Sequence, residues 1–301
     1  MNNMKINFCG INFKNPIITA AGTFGSGKEF DSLIDLNKLG GITVKGVSSK
    51  AWGGNPVPRV AETYGGMLNS VGLQNPGVDA FISEDAPFLK KYNVVKIVNV
   101  CGHSIEEYVE VIQKLNHTEV DMYELNISCP NVSEGGIAFG TDTKLVGNVV
   151  SAAKKAAQKP LIVKLSPNVT DISEIAKAAE GAGADALSLI NTVLGMKIDI
   201  KTRKPVLANK TGGLSGPCIK PIAVRMVYEA SKAVKVPVIG MGGVLNFEDA
   251  VEFMMAGASL VAVGTASFIN PLSIVNIIDG VNGYLYENKI NDIKNIIGVA
   301  E

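Results

Sequence analysis

Apolar runs rich in β-branched residues recur along the chain at 17–21, 41–47, 94–100, 122–127, 161–165, 184–191, 236–240 and 260–263. A Gly-, Asn- or Ser-rich turn follows each run, and between the runs apolar positions take up helical spacing. Residues 104–115 place Ile105, Tyr108, Ile112 and Leu115 on one face. Residues 143–157, 171–179 and 246–255 read the same way, with Asp171 and Asn246 as N-caps. Continuously apolar strands alternating with helices imply a parallel sheet covered by helices. Eight such units match an α/β fold, the (β/α)8 TIM barrel, which needs about 250 residues. An open doubly wound sheet is the rival, but no early GxGxxG follows the first strand. The surplus length lies in residues 48–77 and 192–215, too long for ordinary βα loops and expected to form lids or binding loops. Residues 6–14, with Cys9-Gly10 at their middle, predict an N-terminal hairpin closing the bottom of the barrel. No linker or low-complexity segment interrupts residues 1–301, so a single domain is expected.

Composition narrows the function classes. The 28 basic and 28 acidic side chains cancel, which argues against a broadly basic nucleic-acid face. An apolar share of 47% with few charges excludes a disordered chain. The four cysteines form no CxxC and no zinc-type cluster, so no metal site is expected and reduced thiols are the default. The first residues lack the apolar core of a signal peptide, which favours a cytoplasmic protein. Residues 253–278 carry no charge but are broken by Gly257, Gly264, Asn270 and Pro271, and read as a buried strand with its loops rather than a membrane span.

Candidate chemistry collects at the strand ends, where barrels place their catalytic groups. In order these are Ala21-Gly22-Thr23, Lys45-Gly46, Asn99, Asn126 to Asn131, Lys164, Asn191-Thr192, Gly240 to Gly243, and Gly264-Thr265. Any one could be an ordinary hydrogen-bonded loop residue, but together they would converge on one cavity. Two lysines and paired amides suit a planar heterocycle with carbonyl and ring N–H groups, plus an anion. Gly242-Gly243 and Gly264-Thr265 follow the seventh and eighth strands, where barrels often hold phosphate. Of the two histidines, His117 falls on the non-catalytic face and nothing commits His103. Cys129 sits just past a strand between Ser128 and Pro130, and is the sharper candidate for a base, since cationic neighbours would lower its pKa. Cys9, Cys101 and Cys218 read as small buried hydrophobes, and Trp52 as a packing anchor in a long loop.

Asn126-Ile-Ser-Cys-Pro-Asn131 together with Asn69-Ser-Val-Gly-Leu-Gln-Asn-Pro-Gly77 resembles the class 1 dihydroorotate dehydrogenases. The resemblance extends through Ala21 to Gly25, Thr43 to Gly46, Val163 to Pro167, Gly212 to Gly216, Ile239 to Gly243 and Val263 to Thr265. It implies an FMN-containing barrel that oxidises dihydroorotate to orotate in pyrimidine synthesis. It makes Cys129 the base that removes the substrate's C5 proton while the C6 hydride passes to FMN. Lys45, Asn69, Asn126, Asn191 and Thr192 would hold the substrate, with the backbone of Ser70, Val71, Gly72 and Leu73 closing over it. FMN would lie against Ala21, Lys45, Gly46, Asn99, Asn126, Lys164, Ile190 and Gly216, its phosphate on Gly242, Gly243, Gly264 and Thr265.

Cys129 and the bare N-terminus separate the chain from serine-using, membrane-associated class 2 members. Gly72-Leu-Gln-Asn75 resembles class 1B, whose catalytic subunit forms a dimer and pairs with a subunit carrying FAD and a 2Fe-2S cluster, giving a heterotetramer that reduces NAD. The alternative is a class 1A homodimer that reduces fumarate. Remoter readings are a Schiff-base lyase using Lys164, a uridine-reducing flavoenzyme, which the balanced charge disfavours, and a non-catalytic phosphate-ligand module.

Overall fold

The computed structural model describes residues 2–128, 133–134 and 137–300. Eight parallel strands close into a barrel: β1 (Ile17–Thr19), β2 (Gly41–Val47), β3 (Val95–Val100), β4 (Met122–Asn126), β5 (Leu161–Lys164), β6 (Ala186–Leu189), β7 (Val238–Met241) and β8 (Ala258–Val263). Each pairs with the next in chain order, and β8 returns to β1. The expected (β/α)8 architecture is therefore the observed one. Several strands end a residue or two before their apolar runs do. The ladder nevertheless continues, since the N–H groups of Ile190 and Asn191 donate to Met241 O and Leu165 O at 3.0 and 3.2 Å.

Helices cover the barrel because their apolar stripes have nowhere else to be buried. In helix Ile105–Leu115 the inner face is Tyr108, Val111, Ile112 and Leu115. Burying a side chain of that size contributes about 1.5–3 kcal/mol. Ser104 caps this helix, Asp142 caps Thr143–Ala156, Asp171 caps Ile172–Gly181, and Asn246 with Asp249 forms a capping box for Phe247–Met255. Each cap satisfies an N–H that the helix leaves without a partner, at roughly 1 kcal/mol. Lys220–Ala233 and Ser273–Glu287 complete the principal helices of the layer. No helix among the described residues is long and apolar enough to cross a membrane.

The N-terminal hairpin forms as expected, pairing Ile6–Phe8 with Ile11–Phe13. Cys9 (φ 51°) and Gly10 (φ 83°) supply the two left-handed residues that a tight hairpin turn requires. Phe8 and Phe13 are fully buried edge to face, and the Cys9 thiol donates to Asp185 O just before β6, so the hairpin seals the N-terminal end.

The two long insertions have a structure that the sequence pattern does not announce. They combine into one antiparallel sheet in the order Val193–Met196, Thr211–Ser215, Gly66–Asn69, Val60–Thr63. Gly212 permits the pairing, for a Cβ there would come within 2.6 Å of Asn69 O. Ala61, Leu68 and Leu207 form a small apolar cluster under this sheet, separate from the main core.

Of the three cysteines expected to be buried, only Cys101 is; Cys9 is half-buried and Cys218 is exposed. Cys218 lies in the short turn Pro217–Ile219, where Ile219 takes the inward position. Burial, reinforced by the charge of Asp185 and opposed by Lys154, pushes the Cys9 thiol up to about 11. Its thiolate is correspondingly scarce at neutral pH, so iodoacetamide labelling of Cys9 should be slow at pH 7 and rise steadily as the pH is raised through the alkaline range. Rapid labelling of Cys9 at pH 7, read by peptide mass spectrometry, would contradict this assignment.

Candidate active site

Above the C-terminal ends of the strands lies a cavity of about 700 Å³, roofed by the insertion sheet. That volume suits a cofactor-sized ligand. Among the described residues, every one expected to hold substrate or cofactor lines it; of the strand-end set, Ile127, Ser128 and Gly240 do not. From the strand ends come Ala21, Lys45, Gly46, Asn99, Asn126, Lys164, Ile190, Asn191, Thr192, Gly242, Gly243, Gly264 and Thr265. The insertions and the turn beyond them contribute Asn69, Ser70, Val71, Gly72, Leu73 and Gly216. Cys129 lies outside the described residues.

The floor is polar and tightly ordered. Asn99 is 1% exposed, and its Nδ2 donates to Glu124 Oε2 at 2.6 Å. Its Oδ1 accepts from Asn126 Nδ2 at 3.4 Å. Gly46 makes room for this amide, since a Cβ there would meet Asn99 Oδ1 at 3.1 Å. Asn126 Oδ1 accepts from the Ser128 hydroxyl at 2.7 Å, and that hydroxyl accepts from Asn191 Nδ2 at 2.6 Å. Three asparagines from three strand ends are thus locked together, which fixes where their remaining donors and acceptors face.

Two lysines set the charge. Lys164 is 4% exposed and has neither an ion pair nor a hydrogen bond from its side chain among the described residues. Lys45 is half-buried. Desolvation, joined by repulsion from Arg59 and opposed by Glu29, pulls its ammonium below the usual lysine range. Both are placed to meet negative charge in the cavity, which would offset their desolvation.

A second set of donors lies at the far end. The backbone N–H groups of Gly242, Gly243, Gly264 and Thr265 donate no hydrogen bond among the described residues. Unpaired amides at a glycine turn form a cradle for an anion such as phosphate. The φ angles of Gly242 and Gly243 are 123° and 86°, so glycine is needed there for the turn itself. The Thr265 hydroxyl donates to Ser215 Oγ at 2.8 Å and ties this end to the insertion sheet.

The segment Ser70 to Leu73 is held from behind. Asn55 donates to Ser70 O and Ser70 Oγ, both at 3.1 Å. Asn75 Oδ1 accepts from the backbone N–H groups of Ser48 and Gly77, and its Nδ2 donates to Leu73 O. Neither residue was singled out from the sequence, although Asn75 lies inside the quoted motif. Glu124 and Ser188 were also missed, and Ser128, inside the quoted motif, was given no role. A lone acid in the apolar strand Met122–Asn126 is the signal that marks Glu124. His103 stays outside the cavity, its ring 3.9 Å from that of the half-buried Trp52.

Comparison with known proteins agrees with this architecture. The family profile described as "Dihydroorotate dehydrogenase" matches residues 3–285. The protein named "Dihydroorotate dehydrogenase B (NAD(+)), catalytic subunit" of Lachnoclostridium phytofermentans is 61% identical, over 99% of this chain and 100% of its own. Proteins of the same name from Alkaliphilus metalliredigens and Petrotoga mobilis are 61% and 54% identical, each over 98% of both chains.

The two glycine turns make contrasting predictions. Gly243→Ala would bring a Cβ within 2.9 Å of Gly216 O at positive φ, and should lower stability by about 1–3 kcal/mol in urea unfolding. Gly264→Ala meets nothing closer than Ala20 Cβ at 3.4 Å and should unfold within about 1 kcal/mol of the parent. Equal losses in the two variants would contradict the assigned geometry.

Proposed function

The chain belongs to the dihydroorotate dehydrogenase family, and from that premise we propose that it is the catalytic subunit of an NAD-linked enzyme oxidising dihydroorotate to orotate in pyrimidine biosynthesis. The observation that carries this reading is one cavity in which Lys164, the asparagine floor and the glycine N–H groups meet, the lysine and those N–H groups having no partner among the described residues.

The cavity fits FMN. Its length runs from a polar floor to an anion cradle, its volume suits a flavin, and its buried cation would meet the negative charge of the bound group. Gly242, Gly243, Gly264 and Thr265 would hold the phosphate. Ala21, Gly46, Asn99, Lys164, Ile190 and Gly216 would hold the ring system, with Lys45 and Asn126 shared with the substrate. When bound, FMN supplies the acceptor for the hydride that leaves the substrate's C6.

The remaining work falls to side chains. Cys129 takes the C5 proton, and each turnover must return that proton to water. Lys45 neutralises the substrate carboxylate, which is why a lysine with a lowered pKa is useful there: a carboxylate restores its preference for the charged form. Asn69, Asn126, Asn191 and Thr192 orient the ring amides, and Ser70 to Leu73 exclude water from above. Electrons then pass to NAD through a partner subunit carrying FAD and a 2Fe-2S cluster, on a dimer of this chain, in the cytoplasm. The partner is supported by the name of the relatives, which describes a catalytic subunit and NAD(+).

Two experiments test this reading. Anaerobic dihydroorotate should bleach the flavin absorbance of the purified chain, NAD should be reduced only when the partner subunit is added, and fumarate should not turn over. Fumarate turnover by the chain alone would contradict the NAD-linked assignment. Cys129→Ser should keep its FMN but slow flavin reduction at neutral pH by about 100-fold or more, because a hydroxyl ionises far less readily. Parent-like reduction by Cys129→Ser would remove Cys129 from its role.

A further inference from the structure

Beneath the cavity floor sits an acid that the mechanism above does not use. Glu124 is 2% exposed, on β4. Its Oε2 accepts from Asn99 Nδ2 at 2.6 Å and its Oε1 accepts from the Ser188 hydroxyl at 2.7 Å. Both partners are neutral, and no cation forms an ion pair with it among the described residues. Lys164 is the mirror case, a buried cation likewise without an ion pair.

The strand register relates the two. Lys164 on β5 is opposite Asn126 on β4 and Ser188 on β6. Glu124 lies two residues before Asn126, so it faces the same side of the sheet one step deeper, toward the barrel interior. Its carboxyl group crosses behind β5 to reach Ser188. The negative charge therefore reaches the register partner of Lys164 without forming an ion pair with the lysine among the described residues. Direct contact would neutralise Lys164 outright. Leaving the acid solvated by an amide and a hydroxyl keeps the cation open to a ligand while moderating its field.

We propose that Glu124 is a positioning residue that holds Asn99 and acts as a recessed counter-charge, setting how strongly the cavity favours negative charge. The inference rests on the proposed FMN and orotate site. It has a definite sign. Removing the charge makes the cavity more positive, so an anionic ligand binds more tightly and a group that gains negative charge on reduction is reduced more easily. Damage to the floor would do the opposite to ligand binding.

Glu124→Gln is the direct test, since its carbonyl can still accept from Asn99 and its amide can donate to Ser188 Oγ. Orotate is titrated into the oxidised, FMN-loaded chain by flavin difference spectra, and the flavin potential is measured against a reference dye. Removing a unit charge on the order of 10 Å away, in a medium of effective dielectric near 20, predicts that orotate binds about 15-fold more tightly. The reduction equilibrium should shift toward reduced flavin by a similar factor, tenfold being ~30 mV for a two-electron couple. Glu124→Asp, which keeps the charge while weakening the hydrogen bonds, should stay within about threefold of the parent in both readouts. Weaker or unchanged orotate binding in Glu124→Gln, loss of its FMN, or an equal shift in Glu124→Asp would overturn the proposal. If the parent chain itself shows no orotate difference spectrum, the proposed site falls and this inference with it.

Discussion

A lysine buried at the mouth of a closed barrel, without an anion of its own, is the constraint around which the cavity is arranged. Taking an ammonium out of water is costly unless something repays it. Lys164 has no ion pair among the described residues, and no carboxylate is among the described residues that line the cavity it faces. The folded chain thus stores an unmet electrostatic demand in the place where a ligand enters. A flavin with its phosphate, followed by a substrate carboxylate at Lys45, meets that demand.

The rest of the barrel makes this arrangement stable. The N-terminal hairpin closes the opposite end with Phe8 and Phe13, so the strain lies on a well-packed base. The asparagine floor is ordered by hydrogen bonds among its own members and by Glu124 and Ser128 behind it, which spares the ligand the cost of arranging it. Glycine turns give backbone approach where side chains would clash. The insertion sheet brings Asn69 and Thr192 over the same opening, and Asn69 Nδ2 donates across that sheet to Gly213 O.

The barrel was legible because its strands are largely apolar runs and four of its principal helices start at a side-chain cap, both local signals. The strand-end residues could be gathered into one cavity because a closed parallel barrel points all its C-terminal ends the same way. The insertion sheet was not legible. Its strands are short and Gly-rich, as in Thr211–Ser215, and the ladder that joins the two insertions pairs residues more than a hundred positions apart. Glu124 was overlooked although a lone acid in an apolar strand marks it, and Asn55 and Asn75 act mainly through the loop backbone they hold. Cys218 was misplaced because a cysteine flanked by Pro217 and Ile219 looks buried, whereas the turn after Gly216 directs Ile219 inward instead.

The central claim, that Lys164 is held at a cost which an anionic cofactor relieves, is tested most directly by thermal unfolding of the parent chain and Lys164→Met, each with and without FMN. The account predicts that cofactor-free Lys164→Met unfolds at a higher temperature than the cofactor-free parent, and that FMN raises the parent's midpoint by more than the variant's. A cofactor-free Lys164→Met that is less stable than the parent, or one that gains as much from FMN, would contradict it.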